Sequence, residues 1–179
     1  MPDPSPADAP TPARVVWITG LSGAGKTTLA EAVKARLAPL VQGRVVLLDG
    51  DAIRRVCGND LGHAQADRVV QIGRMQRFAK LLADQGILVV AAALYADRAL
   101  LEWNREHLPG YLEVYIKAGL PELLKRDYKG VYRCPEHVVG VDIPWTEPWA
   151  PDLVLDGDRL EPIEVWAGAV LEALRKGRP

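Results

Sequence analysis

Short apolar runs alternate with amphipathic stretches along most of this chain. The runs at 15–19, 44–48, 87–92, 112–117 and 153–155 are rich in Val, Ile and Leu and predict buried strands. Residues 26–37, 51–56, 65–85, 97–107, 120–127 and 162–176 carry apolar positions at helical spacing. In the longest of these, Ile72, Met75, Ala79 and Leu82 form a stripe, with Met75 and Phe78 expected to pack inward. Trp17 and Trp166 are expected in the core. Such alternation predicts an α/β fold, a parallel sheet flanked by helices. Ligands of these sheets gather beyond the carboxyl ends of the strands. Thr19, Asp49 and the segment from Ala92 to Tyr95 fall at those ends.

Two stretches break the pattern. Residues 1–13 hold Pro2, Pro4, Pro6, Pro10 and Pro12, which predicts a disordered or polyproline-like tail ahead of a single domain at 14–179. Residues 130–152 form a long irregular segment with Pro135, Pro144, Pro148, Pro151, Trp145 and Trp149. Loops of this length tend to be lids or binding segments. Its tryptophans either offer stacking surfaces or pack on the body.

The turn after the first strand changes the picture most. Gly20-Leu21-Ser22-Gly23-Ala24-Gly25-Lys26-Thr27 is a full GxxxxGK[ST] loop between a strand and a helix. Its glycines let successive N–H groups point at an anion, and the helix that follows adds its positive end. Gly20, Ser22, Gly23, Ala24, Gly25, Lys26, Thr27 and Thr28 are therefore expected to hold the phosphates of a nucleoside triphosphate. Lys26 would reach the β- and γ-phosphates, and the Thr27 hydroxyl would ligate Mg²⁺. A plain glycine turn explains neither Lys26 nor Thr27.

Such an enzyme needs a carboxylate near the metal and the attacking group. The second strand ends in Asp49-Gly50-Asp51. Asp49 is expected at Mg²⁺. Asp51 either accepts the proton of an attacking hydroxyl or caps the next helix. The third strand ends without an acid until Asp97, and Asp127-x-x-Gly130 follows a helix pattern. With no Asn-Lys-x-Asp present, these features argue against a GTPase switch and for a small-molecule kinase.

Bulk composition narrows the field further. With 179 residues the chain suffices for one domain with a proper core. Its 22 basic and 23 acidic residues leave a net charge of −1, so neither nucleic acid nor a membrane surface is an expected partner. The longest apolar stretch, 87–94, is eight residues, too short to span a bilayer. Cys57 and Cys134 lie far apart with no CxxC, and no secretion signal is apparent, which fits a cytoplasmic protein. His107 and His137 are isolated in sequence and read as surface or core residues.

From Trp17 to about Leu155 the chain resembles the adenylylsulfate kinase family. The resemblance rests on Trp17 through Ala30, Leu48-Asp49-Gly50-Asp51 with Arg54, Asn59-Asp60-Leu61-Gly62 and Asp67-Arg68. It continues through Glu113-Val114-Tyr115-Ile116, Arg126 through Tyr132, and Gly140-Val141-Asp142-Ile143-Pro144. It implies a three-layer P-loop kinase fold with a five-stranded parallel sheet and a mobile lid. It also implies MgATP-dependent phosphorylation of a ribose 3′-hydroxyl. Carried over by position, Arg54 and Arg68 would meet the acceptor's anionic group, although Arg68 also suits a solvated helix face. Arg126 and Lys129 would belong to the lid over ATP and acceptor. Asp51, His63, Gln71, Tyr95 and Val138 complete the expected acceptor side.

The departures fall on that side. His63 stands where the family has an aromatic residue, usually Phe, and Val138-Val139 precede Gly140 where it has another Phe. Gln71 replaces a family Asn, and residues 93–98 replace its Ile-Ser-Pro-Tyr-Arg segment. Those two rings sandwich the acceptor's adenine, and stacking of this kind is worth about 1–3 kcal/mol per base. Trp103-Asn104-Arg105-Glu106 and residues 138–143 resemble a branch that phosphorylates cytidine diphosphoramidate. The expected acceptor is that nucleotide or another non-adenine one. Adenylylsulfate is the alternative, and a non-catalytic regulator and a nucleoside-monophosphate kinase are the further readings. The expected partners are ATP and the acceptor, with a homodimer left open.

Overall fold

The computed structural model describes residues 14–94, 97–127, 130–133, 136–159 and 161–176. The expected proline-rich tail, Tyr95, Lys129 and Cys134 lie outside them. Five strands, β1 (Val15–Thr19), β2 (Val45–Asp49), β3 (Leu88–Ala93), β4 (Leu112–Lys117) and β5 (Leu153–Asp156), form one parallel sheet in the order β2-β3-β1-β4-β5. The helices are α1 (Lys26–Leu37), α2 (Gly50–Val56), α3 (Gln65–Asp84), α4 (Arg98–His107), α5 (Leu120–Lys125) and α6 (Ile163–Lys176). Every residue of β1 and β3 is buried, as expected of strands covered by helices on both faces. Trp17 and Trp166 lie in the core between sheet and helices.

The sheet register brings Thr19 opposite Ala93 and Asp49 opposite Ala92. The loop after β1, the Asp49 tip and the end of β3 thus share one end of the sheet, where α/β folds bind ligands.

Local chemistry corrects several boundaries. α2 begins at Gly50, and Asp49, not Asp51, is its N-cap: Asp49 Oδ1 accepts from the N–H of Asp51 at 3.0 Å and of Ala52 at 3.1 Å. α4 begins at Arg98, capped by Asp97, whose carboxylate accepts from Leu100 N–H at 2.9 Å. α5 stops at Lys125, short of Asp127, whose carboxylate instead accepts from Val131 and Tyr132 N–H and closes the next turn. Along α3, Met75 is buried as expected, but Phe78 is partly exposed, and the inward face includes Arg68, Gln71 and Gln76. Arg68 therefore does not lie on a solvated face.

The long segment after α5 divides in two. Residues 130–133 and 136–143 face the carboxyl end of the sheet, while 144–152 are strapped to the body. Asp152 Oδ2 accepts from Glu113 N–H at 2.7 Å, Lys117 pairs with Glu147 at 2.9 Å, and Arg105 donates to the Ala150 carbonyl. Trp145 lies 6.2 Å from the Tyr115 ring, and Trp149 is flanked by the guanidinium groups of Arg98 and Arg105. Trp145 packs on the body, the second of the two readings offered by the sequence, whereas Trp149 stays exposed beside those two guanidinium groups.

Beneath Trp149 a polar network crosses the interior. Gln76 donates to Asn104, Asn104 to the Tyr111 hydroxyl, and both Tyr111 and Arg105 to Glu113 Oε2. Burial pushes the Glu113 carboxyl above its ordinary value, further than the Arg105 guanidinium draws it down. The network joins α3 and α4 to β4 away from the sheet's open end. Among the described residues, no helix is long and apolar enough to cross a membrane.

Candidate active site

At the carboxyl end of the sheet lies a cavity of about 450 Å³. One wall is the glycine-rich loop. α1 starts after Gly25, which has φ 97° and no side chain to cap the helix, and no acidic residue stands in the first turn. The leading N–H groups of a 12-residue helix are thus left for an outside anion. Ser22, Gly23, Gly25, Lys26, Thr27 and Thr28 line the cavity. The Lys26 ammonium donates to the Leu21 carbonyl at 2.7 Å, so it is folded back on its own loop. Gly20 and Ala24 do not line the cavity. A Cβ at Gly20 would come within 2.6 Å of the Ile116 carbonyl, so this glycine serves the close approach of β1 and β4. Ala24 is buried.

Thr27 Oγ1 donates to Asp49 Oδ2 at 3.0 Å. Two hard oxygen donors are thus brought side by side at the loop, a donor set that suits Mg²⁺ alongside phosphate oxygens. No cluster of three or more His, Cys, Asp or Glu among the described residues could hold a metal alone. Asp51, the second residue of α2, also faces the cavity.

The opposite wall comes from α2, α3, the turn between them and the 136–138 segment. Arg54 Nη1 donates to the carbonyls of Leu61 and Gly62 at 3.1 and 2.8 Å. Arg68, 8% exposed, donates through Nε to His63 O at 2.9 Å and through Nη2 to His137 O at 2.7 Å. Gln71 Nε2 donates to Gly50 O at 3.0 Å. Arg54, His63, Arg68, Gln71, His137 and Val138 all line the cavity. Burial lowers the His63 pKa below its ordinary value; Arg54, Arg68 and His137 act the same way, against Asp51.

The predicted site residues thus converge, apart from Gly20, Ala24 and Arg126, and with Tyr95 and Lys129 outside the described residues. Arg126 donates to the carbonyls of Gly157 at 2.8 Å and Asp158 at 3.2 Å, and does not line this cavity. A contact with ATP would require it to leave both.

Sequence reasoning missed Asp127, Glu136 and His137, all of which line the cavity. Asp127 carried a signal in its spacing to Gly130. His137 carried none, because its partner Arg68 is 69 residues away. His137 also has φ 62°, a left-handed backbone that costs a residue other than glycine about 1–2 kcal/mol. It is held there by Arg68 on its carbonyl and by Asp142, which accepts from His137 N–H at 2.6 Å and Val138 N–H at 2.5 Å.

Residues 12–156 match the adenylylsulphate kinase family model. The chain belongs to the adenylylsulphate kinase family. Members of this family are phosphotransferases that act on a hydroxyl group, and this chain is a kinase of that kind. It is 39% identical over 172 residues to an adenylyl-sulfate kinase of Myxococcus xanthus, covering 90% of this chain and 91% of that one. It is 37% identical over 150 residues to a cytidine diphosphoramidate kinase of Campylobacter jejuni, covering 79% and 85%. A solved adenylylsulphate kinase of Mycobacterium tuberculosis, in complex with AMPPNP and APS, superposes with a TM-score of 0.82 at 34% identity, covering 93% of this chain and 99% of that one. The chain spans only 27% of the bifunctional enzyme NodQ of Azospirillum brasilense, to which it is 40% identical. The family therefore occurs both as chains of this length and within longer proteins.

Proposed function

We propose that this adenylylsulphate kinase family member transfers the γ-phosphate of ATP to the ribose 3′-hydroxyl of a nucleotide, and that the nucleotide is cytidine diphosphoramidate or a related non-adenine acceptor. One observation carries the choice of acceptor. The cavity wall opposite the glycine-rich loop presents His63 and Val138 at the positions matched to the two family rings. Without that pair of rings an adenine loses about 1–3 kcal/mol of stacking, roughly fivefold to 150-fold in affinity. A smaller pyrimidine depends less on such a clamp. The 37% identity to a cytidine diphosphoramidate kinase supports the same reading.

In the reaction, the N–H groups of Gly23, Gly25 and the start of α1 bind the triphosphate. Lys26 leaves the Leu21 carbonyl and turns to the β- and γ-phosphates. Thr27 and Asp49 would hold Mg²⁺, which, when bound, neutralises phosphate charge. Asp51 accepts the proton of the acceptor hydroxyl as its oxygen bonds the γ-phosphorus, while the bond from that phosphorus to the β,γ-bridging oxygen breaks and ADP leaves. Lys26 then stabilises the charge spread over the transferred group, where most of the catalysis of phosphoryl transfer resides. Residues 130–133 and 136–143 help exclude water from the transfer.

Adenylylsulfate is the second reading, favoured by the similarity to the Myxococcus and Mycobacterium kinases. Initial rates with MgATP and each acceptor at equal concentration decide between them. At least a tenfold higher kcat/KM for cytidine diphosphoramidate is expected; a preference for adenylylsulfate would retire the cytidine reading. Asp51→Asn tests the base: turnover is expected to fall about a hundredfold, the low end for general-base catalysis. Near-normal turnover would remove Asp51 from that role.

A further inference from the structure

Gly50 sits between the two acids of the β2 tip, and the peptide joining it to Asp51 is held at both polar ends. The N–H of that peptide, on Asp51, donates to Asp49 Oδ1 at 3.0 Å. Its carbonyl, on Gly50, accepts from Gln71 Nε2 at 3.0 Å. The first grip is local and belongs to the cap of α2. The second comes across from α3, 21 residues along the chain. A planar peptide gripped on both sides cannot rotate without giving up a hydrogen bond. The orientation of this plane sets the direction in which the Asp51 side chain leaves the backbone.

Packing alone does not pin the turn. A Cβ on Gly50 would find its nearest neighbours, Ala92 O and Met75 Sδ, only at 3.8 Å. Gln71, by contrast, is firmly seated. It is 3% exposed on the inward face of α3. Arg68, one turn before it, is a strut between the carbonyls of His63 and His137, and Met75, one turn after it, is buried. The other end of the Gln71 amide, Oε1, is buried and meets no donor among the described residues. The amide is therefore oriented by the Gly50 carbonyl, which only its N–H can meet. An unmatched buried acceptor is costly, so the bond it accompanies calls for a reason.

We propose that Gln71 is a positioning residue for phosphoryl transfer: by holding the Gly50 carbonyl it aims the Asp51 carboxylate at the acceptor hydroxyl. Its effect falls on the transfer step and not on the binding of the acceptor, the role that the sequence led us to expect. This inference rests on the reading of Asp51 as the proton acceptor. A displacement of about 1 Å in a reacting group costs up to about a hundredfold in rate. One hydrogen bond to the peptide that carries Asp51 thus has leverage on kcat.

Gln71→Met keeps the length of the side chain and removes the donor, so the variant is expected to fold, with Tm measured alongside the kinetics. The assay uses MgATP with cytidine diphosphoramidate and, separately, adenylylsulfate. For the acceptor with the higher kcat/KM, kcat is expected to fall about tenfold to a hundredfold, with both KM values within about twofold of wild type. A rise in acceptor KM at unchanged kcat would make Gln71 a ligand of the acceptor, and unchanged kinetics would make it a packing residue; either overturns the proposal. The decisive comparison repeats the substitution in Asp51→Asn. With no base left to aim, Gln71→Met is expected to cost less than about twofold there. An equal loss in both backgrounds would show that Gln71 does not act through Asp51, and the inference falls. Gln71→Asn is the second variant. It keeps the amide but is one methylene short of the Gly50 carbonyl, and kcat is expected to fall here too; wild-type kcat would show that the reach to Gly50 is immaterial and would overturn the inference. Near-normal turnover of Asp51→Asn by itself is a separate failure. It removes the base, is seen without any change at Gln71, and takes this inference with it.

Discussion

The donor wall of the cavity is made by one strand–turn–helix unit and one carboxylate next door. Residues 22–28 supply backbone N–H groups, and Asp49 is tied to Thr27 by a single hydrogen bond. The acceptor wall is made by side chains reaching across the fold. Arg54 holds the carbonyls of Leu61 and Gly62, Gln71 holds Gly50, and Arg68 joins His63 to His137. The donor wall depends on local backbone shape, which a few glycines and a helix start dictate. The acceptor wall depends on long-range hydrogen bonds, so a single substitution there can re-aim a whole segment. On this account the phosphate end stays fixed while the acceptor end is free to change its substrate.

The strongest challenge to that contrast is Lys26→Ala. It removes a cation from the donor wall without altering any glycine, and kcat for ADP release is expected to fall about a thousandfold. The acceptor KM should change little. A comparable loss in acceptor binding would mean that the two walls are not separable.

Next in size is a change that should touch neither wall. Glu113 is buried beside Arg105, and Glu113→Ala leaves that guanidinium without its carboxylate. Breaking a buried pair in this way costs about 3 kcal/mol, a fall in Tm of about 6–12 °C for a chain of this size. Both KM values should hold in the folded fraction at low temperature. A change in the acceptor KM alone would show that the network under Trp149 helps to set the acceptor wall.

Why the two walls were unequally legible in the sequence follows from the same contrast. The strands, the loop and the acids at the β2 tip were readable because each is encoded within about ten consecutive residues. The sheet itself followed from the strand–helix alternation. Asp49 as the cap of α2 was not readable, because Asp49 and Asp51 both satisfy the sequence rule for an N-cap and only backbone geometry chooses between them. Phe78 was assigned inward by apolar spacing, yet α3 turns Arg68, Gln71 and Gln76 inward, since each finds a carbonyl or amide there. His137 was not readable at all. Its place in the cavity wall depends on a partner 69 residues earlier and on a φ that no local motif announces.

Arg68→Lys sharpens the comparison at a smaller scale. A lysine has one ammonium and cannot present the rigid fork that holds His63 and His137 together. The acceptor KM is expected to rise about tenfold, with the ATP KM within twofold of wild type. Adding His137→Gly to this variant should raise the acceptor KM much less than the product of the two separate effects, because the strut acts through the residue it holds. Full additivity would mean that Arg68 touches the acceptor itself.

The smallest effect expected lies at the seam between the two walls. The Tyr132 hydroxyl donates to the Ser22 carbonyl at 2.9 Å and so ties residues 130–133 to the glycine-rich loop. Burial raises the Tyr132 pKa above its ordinary value, and Asp127 adds to the rise. The hydroxyl therefore stays protonated, and able to donate, throughout the neutral range. Tyr132→Phe keeps the ring and removes one hydrogen bond, worth about 0.5–1.5 kcal/mol, or roughly two- to tenfold. Because Ser22 belongs to the donor wall, the loss should appear in the KM for ATP, and it should be the same at pH 6.5 and pH 8.5. A loss confined to the acceptor KM would place residues 130–133 with the acceptor wall. A loss that grew with pH across that range would mean the hydroxyl had already begun to ionise, and that the link to Ser22 is not what the substitution removes.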